Sequence, residues 1–463
     1  PIDQSNILMS ELTMEFALSK EFLERFQQAL DEKDEAFIRQ SLEGINPADI
    51  TSLLYEFDSE ECKYVFQILP KEIDAAILND LDDDVREDFI AEFTPVELAR
   101  YLEFLDSDDG ADILYQMSIK KREEVIKFIE NEEKASYILD LLRYDEDVAG
   151  GLMAKELVKA NLNWTIKQCI EEIRKQAENV QKIYSVYVVD NLGKLIGKVS
   201  LKRIIIADDN TKIADIYDDT VVAVETYMDE EEVAIIMQKY DLEAVPVVNA
   251  RGKLVGRITI DDIVDVITEM AEEERQMMSG ISADVEEADT VWMLSKARLP
   301  WLIIGMVGGL IGAQFMGLFR GDFALIPALA FFIPLITATG GNVGIQSSSI
   351  VVQSLANPNV FAGGLVQRLL KVLFVAVVNG IILSLMVFGI VILFNRNEPL
   401  AATVSIALFS VVLLASFMGT ITPLILDKFG INPALASGPF ITTANDLLGL
   451  AVYFSVAHLL YNL

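Results

Sequence analysis

Beyond residue 289 this chain almost stops carrying charge, and that restricts its possible folds more than any other feature. From there to the end the acidic side chains are Asp322, Glu398, Asp427 and Asp446, and the basic ones are Lys296, Arg298, Arg320, Arg368, Lys371, Arg396 and Lys428. The apolar runs between them are long enough to cross a ~30 Å hydrocarbon layer as helices, which satisfy their own backbone hydrogen bonds. Five spans fit: Leu299 to Phe319, Phe323 to Val352, Leu369 to Phe394, Leu400 to Leu426 and Ala434 to Leu460. With the N-terminal half in the cytosol, Lys296, Arg298, Arg368, Lys371 and Lys428 fall inside and Arg320 and Arg396 outside. That excess of inner positive charge sets the orientation and leaves the C-terminus outside.

Of 71 acidic and 37 basic residues, all but those eleven precede residue 290. An acidic soluble half is therefore joined to a membrane half. The carboxylate excess opposes nucleic-acid binding, which needs Lys and Arg to displace counterions, and it favours cations. Cys62 and Cys169 are the only cysteines, too far apart in sequence for a metal knuckle, which suits a reducing cytosol. The polar, acidic beginning predicts no cleavable signal, so the soluble half is expected to stay on the side of synthesis.

Residues 1–150 read as short helices with a repeat. Pro47-Ala-Asp-Ile, Pro70-Lys-Glu-Ile and Pro95-Val-Glu-Leu recur at nearly equal spacing, each opening a helix, the period of one helical hairpin in an all-α superhelical stack. The densest acidic cluster is Asp106-Ser-Asp-Asp-Gly-Ala-Asp112. A helix starting near Ser107 places Asp108 and Asp112 on one face, where they repel unless a cation or the helix N-terminus relieves them. Such a cluster also reads as an N-cap with an acidic first turn.

Residues 151–268 carry a second repeat, in which the segment from Ser185 to Ile204 matches that from Ala244 to Ile263. Each copy reads as a strand, a glycine turn, a second strand and a helix capped by Ser200 or Thr259, after an amphipathic helix. These residues resemble a tandem pair of CBS (cystathionine-β-synthase) domains, at about 155–210 and 212–268. The resemblance implies an α/β module that dimerises and can bind an adenine nucleotide such as ATP. The family's ribose-contacting acid falls on Asp262, whereas the first copy has Arg203 there. The chain then continues as a helix with Asp262, Asp265, Glu269 and Glu273 on one stripe, leading to the first span.

Two span features bear chemistry. The run Gly340-Gly-Asn-Val-Gly-Ile-Gln346 is expected to interrupt its helix and free carbonyls toward a polar cavity, or else to be a glycine packing kink. In the last span, a helix over 434–460 puts Asp446 roughly 18 Å along its axis, near mid-membrane, where a carboxylate costs ~2.5–3.5 kcal/mol. Gly438-Pro439 is expected to bend that helix, with Thr442 on the Asp446 face. Two copies of Asp446 about a twofold axis suit one divalent cation, and Mg²⁺, which sheds water reluctantly, suits a site with few direct ligands.

The acidic helical domain, CBS pair, acidic helix and five spans with Thr-Gly-Gly-Asn-x-Gly-x-Gln and Pro-x5-Pro-x6-Asp together resemble the MgtE family of magnesium channels, over nearly the whole chain. The resemblance implies a multidomain homodimeric membrane protein: N-domain 1–150, CBS pair 151–268, connecting (plug) helix 269–295 and a five-helix transmembrane domain 296–463. It implies a Mg²⁺ channel, not an enzyme, in the lipid of a bacterial inner membrane. Asp446 is then the selectivity carboxylate, with Asn342, Thr442 and Gly438 along the pore. It also implies that cytosolic Mg²⁺ closes the pore through Asp108, Asp109, Asp112, Glu231, Asp241, Asp262, Asp265, Glu273, Glu274 and the Gly151 carbonyl. The family often has Asp where Asn432 stands, and some members have Asn at Gly438. Two other readings remain from the residues: a coupled carrier exporting Mg²⁺ or Co²⁺, and a membrane-anchored nucleotide sensor.

Overall fold

The computed structural model describes residues 18–177, 180, 182–282, 285, 289–356, 365–436 and 438–461. The chain divides into two compact units, one ending at Ile267 and the other beginning at Thr268. Residues 283, 284 and 286–288 of the expected connecting segment lie outside the described residues.

Among the described residues the first unit opens on ten short helices: α1 Lys20–Glu32, α2 Glu35–Leu42, α3 Pro47–Leu54, α4 Ser59–Ile68, α5 Lys71–Asp80, α6 Asp83–Ala91, α7 Pro95–Leu102, α8 Ser107–Tyr115, α9 Ile119–Ile126 and α10 Glu132–Leu141. Their starts are written locally. Asp58 with Glu61 and Thr94 with Glu97 form reciprocal capping boxes, Pro47 and Pro95 stand at first helical positions, and Pro70 is the N-cap of α5. Helices two apart pack together, α3 on α5, α5 on α7, α7 on α9 and α8 on α10, which is the expected superhelical stack. Phe66, fully buried, meets Phe89, Phe93 and Tyr101 edge-on or tilted at 5.0, 5.8 and 5.9 Å.

The repeat then folds as two three-stranded sheets. The first has β1 Lys159–Asn161, β2 Val186–Val189 and β3 Leu195–Val199, with helices α11 Ile166–Gln176 and α12 Leu201–Ile206. The second has β4 Val224–Glu225, β5 Ala244–Val248 and β6 Leu254–Thr259, with α13 Glu230–Tyr240. In each the first strand pairs parallel and the third antiparallel to the middle one. Even the register shift repeats, at Val188/Val189 and Val247/Val248. Gly193 and Gly252 turn with φ of 79° and 72°, and the two turns pair reciprocally, Leu195 N to Gly252 O at 3.0 Å and Leu254 N to Gly193 O at 3.1 Å. From β6 the chain runs without a turn into α14 Ile260–Met278.

The second unit contains α15 Val291–Gly317, α16 Arg320–Leu325, a 3-10 turn Pro327–Phe332, α17 Ile333–Ala356, α18 Leu365–Asn395, α19 Glu398–Lys428, a 3-10 turn Pro433–Ala436 and α20 Pro439–Tyr461. Five of its segments are long and apolar enough to cross a membrane. Helix α19 lies at the centre, its Val404, Leu408, Val411 and Val412 packed with Ile336, Leu450, Tyr453 and Phe454. The Tyr453 hydroxyl donates to the Leu329 carbonyl at 2.9 Å, tying α20 to the turn before α17.

Two local expectations are corrected. The glycine run at 340–346 lies inside the unbroken α17, and the irregular backbone precedes it at Pro327–Phe332. The glycines serve close approach instead: a Cβ on Gly344 would fall on the Asn445 side chain, and one on Gly419 would strike the Gly344 carbonyl. Gly438 and Pro439 do not bend a helix that began earlier; α20 starts at Pro439 after Gly438 at φ 61°, with proline at a first-turn position where it is tolerated. On α15, Gly308 packs on Thr443 and Gly312 on Leu447, whereas a Cβ on Gly305 or Gly309 would have no neighbour within 4 Å among the described residues.

Candidate functional site

Two places gather the polar chemistry, one in each unit. In the first, α8 begins at Ser107 without a side-chain cap from Asp106. Asp108 in its first turn is 6 % exposed and accepts from the Asp109 amide at 3.0 Å. Asp109 accepts from Asn79 Nδ2 at 3.0 Å. At the start of α14, Asp262 turns back to accept from the Thr259 amide at 3.1 Å and its hydroxyl at 2.8 Å. That is the Ser/Thr-x-x-Asp spacing closing on itself.

Five carboxyl groups of this region, Asp108, Asp109, Asp112, Asp262 and Asp265, resist ionisation, and burial is the largest cause for each. Burial and then Asp109, Asp262, Asp106 and Glu156 raise Asp108 well above the usual range. Burial raises Asp109, against the Asn79 hydrogen bond. Burial, against the Thr259 hydrogen bonds, pushes Asp262 up to about 7. Asp112, open to solvent on one side but enclosed by protein on the others, is raised by that enclosure and by Asp109. Asp265 is raised by burial and then by Asp261, Asp80 and Asp83. Asp108, Asp109, Asp112 and Asp262 thus act on one another as one electrostatic group.

The remaining expected residues are placed differently. Glu231 is the second residue of α13 and Asp241 its C-cap, at φ 53°, so about 15 Å of helix separates them and no single ion reaches both. Gly151 is buried; its amide donates to Val148 O at 2.8 Å, and a Cβ there would strike the Asp145 carbonyl. Glu273 and Glu274 lie farther along α14, half-buried. Among the described residues no three His, Cys, Asp or Glu side chains converge as a ready ligand set.

The structure adds residues that the sequence reading passed over. Glu156, 5 % exposed, accepts from the Ser107 hydroxyl at 2.6 Å and amide at 3.1 Å. Arg257, 4 % exposed, pairs with Asp106 at 3.3 Å. Burial and Glu156 push Asp106 up to about 6 against that guanidinium. Asp106 stood in the quoted acidic cluster, but its partners lie distant in sequence and no local signal marks them.

In the second unit Asp446 is half-buried on α20, one turn after Thr442. Both face Gly341 of α17: the point where that glycine would carry a Cβ is 3.5 Å from Thr442 Cγ2 and 3.9 Å from Asp446 Oδ1. The Thr442 hydroxyl donates to the carbonyls of Gly438 and Pro439 at 3.2 and 3.0 Å. With α20 starting at Pro439, Asp446 stands about 10 Å from its helix end. Gly438 sits against the end of α14, where a Cβ would meet Met278 O at 2.5 Å. Asn342 is exposed on α17 beside Gly341. Asp446, Thr442 and Gly438 are brought into one line, and Asn342 stands outside it.

Comparison with known proteins matches a divalent cation transporter family model, MgtE, to residues 333–456. The MgtE intracellular N domain matches residues 45–147 and the CBS domain residues 147–210 and 213–269. The chain is 33 % identical over 443 residues to the magnesium transporter MgtE of Thermus thermophilus, covering 94 % of this chain and 97 % of that one. It is 29 % identical over 423 residues to the protein of that name from Bacillus subtilis, covering 88 % and 93 %. A crystal structure titled as the cytosolic domain of the Mg²⁺ channel MgtE in complex with ATP aligns with a TM-score of 0.49 at 36 % identity, covering 52 % of this chain and 98 % of that one.

Proposed function

The chain belongs to the MgtE family of magnesium transporters, and from that premise we propose that it is a Mg²⁺ channel whose path passes Asp446 and closes when cytosolic Mg²⁺ rises. The observation that carries the pore reading is the setting of Asp446. It is the one carboxylate within α20, and it faces a glycine surface and the Thr442 side chain. In a membrane interior such a group is expensive unless it meets a cation. Two chains of a homodimer would present two such carboxylates to one hydrated ion, with Thr442 and the Gly438 carbonyl lining the approach and Asn342 near the mouth. The N-terminal domains are cytoplasmic in this reading and the C-terminus is outside. Asp446→Ala is expected to abolish Mg²⁺ uptake into proteoliposomes, and normal uptake would refute the pore assignment.

Closure follows from the acidic corner of the first unit. Asp108, Asp109, Asp112 and Asp262 crowd together at a cost that a divalent cation relieves, and Asp265, raised by Asp261, Asp80 and Asp83, adds to it. Glu231, Asp241 and the Gly151 carbonyl in the first unit, and Glu273 and Glu274 in the second, are the further groups on which cytosolic Mg²⁺ would act. Neutralised, these groups favour the packed arrangement, and ionised without a cation they favour spreading. Several weak sites acting together make the response steep. Because α14 runs unbroken from the CBS pair to Met278, it carries that change toward the start of α20.

The CBS pair offers a second ligand. A cavity of about 590 Å³ beside the first copy is lined by Ser200, Lys202, Arg203 and Tyr217 among others. Its two cations, Lys202 and Arg203, suit the phosphates of ATP, against the Asp215 carboxylate that also lines it and although Arg203 replaces the ribose-binding acid. Calorimetric titration of the first unit with ATP tests this, and no heat of binding would refute it.

A further inference from the structure

Asn445 has no part in the function described so far. Its side chain is 2 % exposed, and neither its amide nitrogen nor its amide oxygen has a hydrogen-bond partner among the described residues. A buried primary amide normally finds a partner, and hydrocarbon offers none. Shape holds it there: it fills the space that any side chain at Gly344 would take. Its own carbonyl lies 3.9 Å from the Cβ point of Gly340. Neighbouring residues of α20 thus lie on one glycine row of α17, Asp446 at Gly341 and Asn445 at Gly344.

Two further observations concern how α20 can move. The row Gly340, Gly341 and Gly344 carries no side chains of its own, so once the Asn445 amide leaves Gly344 this face of α17 sets little steric barrier to a slide or turn of α20. The start of α20 and the turn before it bear on the end of α14 and the residues just after it: a Cβ on Gly280 would meet Pro439 Cγ at 2.6 Å, and Asn432 Nδ2 donates to Met277 Sδ at 3.3 Å. Residues 445 and 446 are about 100° apart around the helix axis, so a fraction of a turn carries the amide toward the side that Asp446 now faces.

We infer that Asn445 is a positioning residue of the ion path, whose amide leaves Gly344 when α20 turns and joins Asp446 in holding the hydration shell of the passing divalent cation. This rests on the reading of Asp446 as the pore carboxylate. A hydrated ion presents water oxygens and hydrogens to its surroundings, and the amide both accepts from and donates to such water. The amide is satisfied in the conducting position and orphaned against Gly344, so it biases the helix toward conduction.

The test compares Asn445→Val with Asn445→Thr, two side chains of nearly one shape that differ by a hydroxyl. Mg²⁺ uptake into proteoliposomes at low internal Mg²⁺ and thermal unfolding in detergent are measured for both. Asn445→Ala, which cannot overfill the contact, is a second apolar arm. The expected order of uptake is parent, then Thr, then Val and Ala, with Val lower than the parent by about tenfold, the scale of one lost hydrogen-bonding group. The melting temperature of Val should equal or exceed that of the parent, because an orphaned amide has been removed. Any other order of uptake, or a loss of uptake matched by a falling melting temperature, overturns the inference. Asp446→Ala is run alongside: normal uptake there sinks the pore reading, whereas silent Asp446→Ala with a fully conducting Asn445→Val sinks only the role of Asn445.

Discussion

Replacing Asp262 by asparagine tests whether the acidic corner is held under electrostatic load. The carboxylate accepts from the Thr259 amide and hydroxyl, and the amide oxygen of the substituted side chain can take both bonds, so the local cap survives. What disappears is the charge. Burial, then Asp109 and Asp261, lifts the Asp262 carboxyl from 3.8 to about 7. At ~1.4 kcal/mol per unit the full shift amounts to roughly 4 kcal/mol, and about half that is expected after sharing with its neighbours and partial solvation. The sign follows from linkage: a carboxyl whose folded value is raised binds its proton more tightly when folded. Its stabilisation is full below the unfolded value near 4 and is lost as pH rises through the folded value near 7. In chelator at pH 8, Asp262→Asn should therefore raise the melting temperature of the first unit by about 4–8 °C, at ~2–4 °C per kcal/mol for a domain of this size. The gain should shrink below pH 7 and vanish near pH 4. Mg²⁺ should raise the melting temperature of the parent by more than that of the variant, because the variant has less charge to neutralise. Differential scanning calorimetry across pH, with and without Mg²⁺, reads both effects. An unchanged or lower melting temperature for the variant at pH 8 in chelator would refute the reasoning.

Other substitutions probe the packing. Gly308→Val should destabilise the membrane unit by ~1–3 kcal/mol through overpacking on Thr443, whereas Gly309→Val, with no neighbour within 4 Å in the chain, should leave monomer unfolding unchanged; detergent unfolding curves separate them. Tyr453→Phe removes the hydrogen bond to Leu329 O and should cost ~1 kcal/mol by the same measurement. Phe66→Ala empties the centre of an aromatic cluster and should cost ~3–5 kcal/mol in urea unfolding of the first unit, with no change in m.

What the sequence discloses depends on whether a feature carries its own explanation. The CBS repeat does: its turn glycines are needed at φ 79° and 72°, and its capping hydroxyls act within one helical turn, so pattern and cause lie in the same few residues. The five spans do too, because hydrocarbon imposes length and apolarity directly. The Asp108–Asp112 spacing was legible for the same reason, and so was the Ser200 cap, whereas the Thr259 hydroxyl, expected to cap its helix, donates to the Asp262 carboxylate instead. Glycine in an apolar helix is different, since it serves equally to unwind a backbone or to admit a neighbour. The neighbour decides, and for Gly344 that neighbour is Asn445, for Gly308 it is Thr443, and for Gly419 it is the Gly344 carbonyl, all distant in sequence. Glu156 and Arg257 were missed on the same ground, their partners Ser107 and Asp106 being brought to them only by the fold. Asn445 is the limiting case. Beside Asp446 it reads as one more polar residue near a pore, and its significance lies in the absence of any partner around it among the described residues, a property that belongs to the packed structure and leaves no trace in the order of residues.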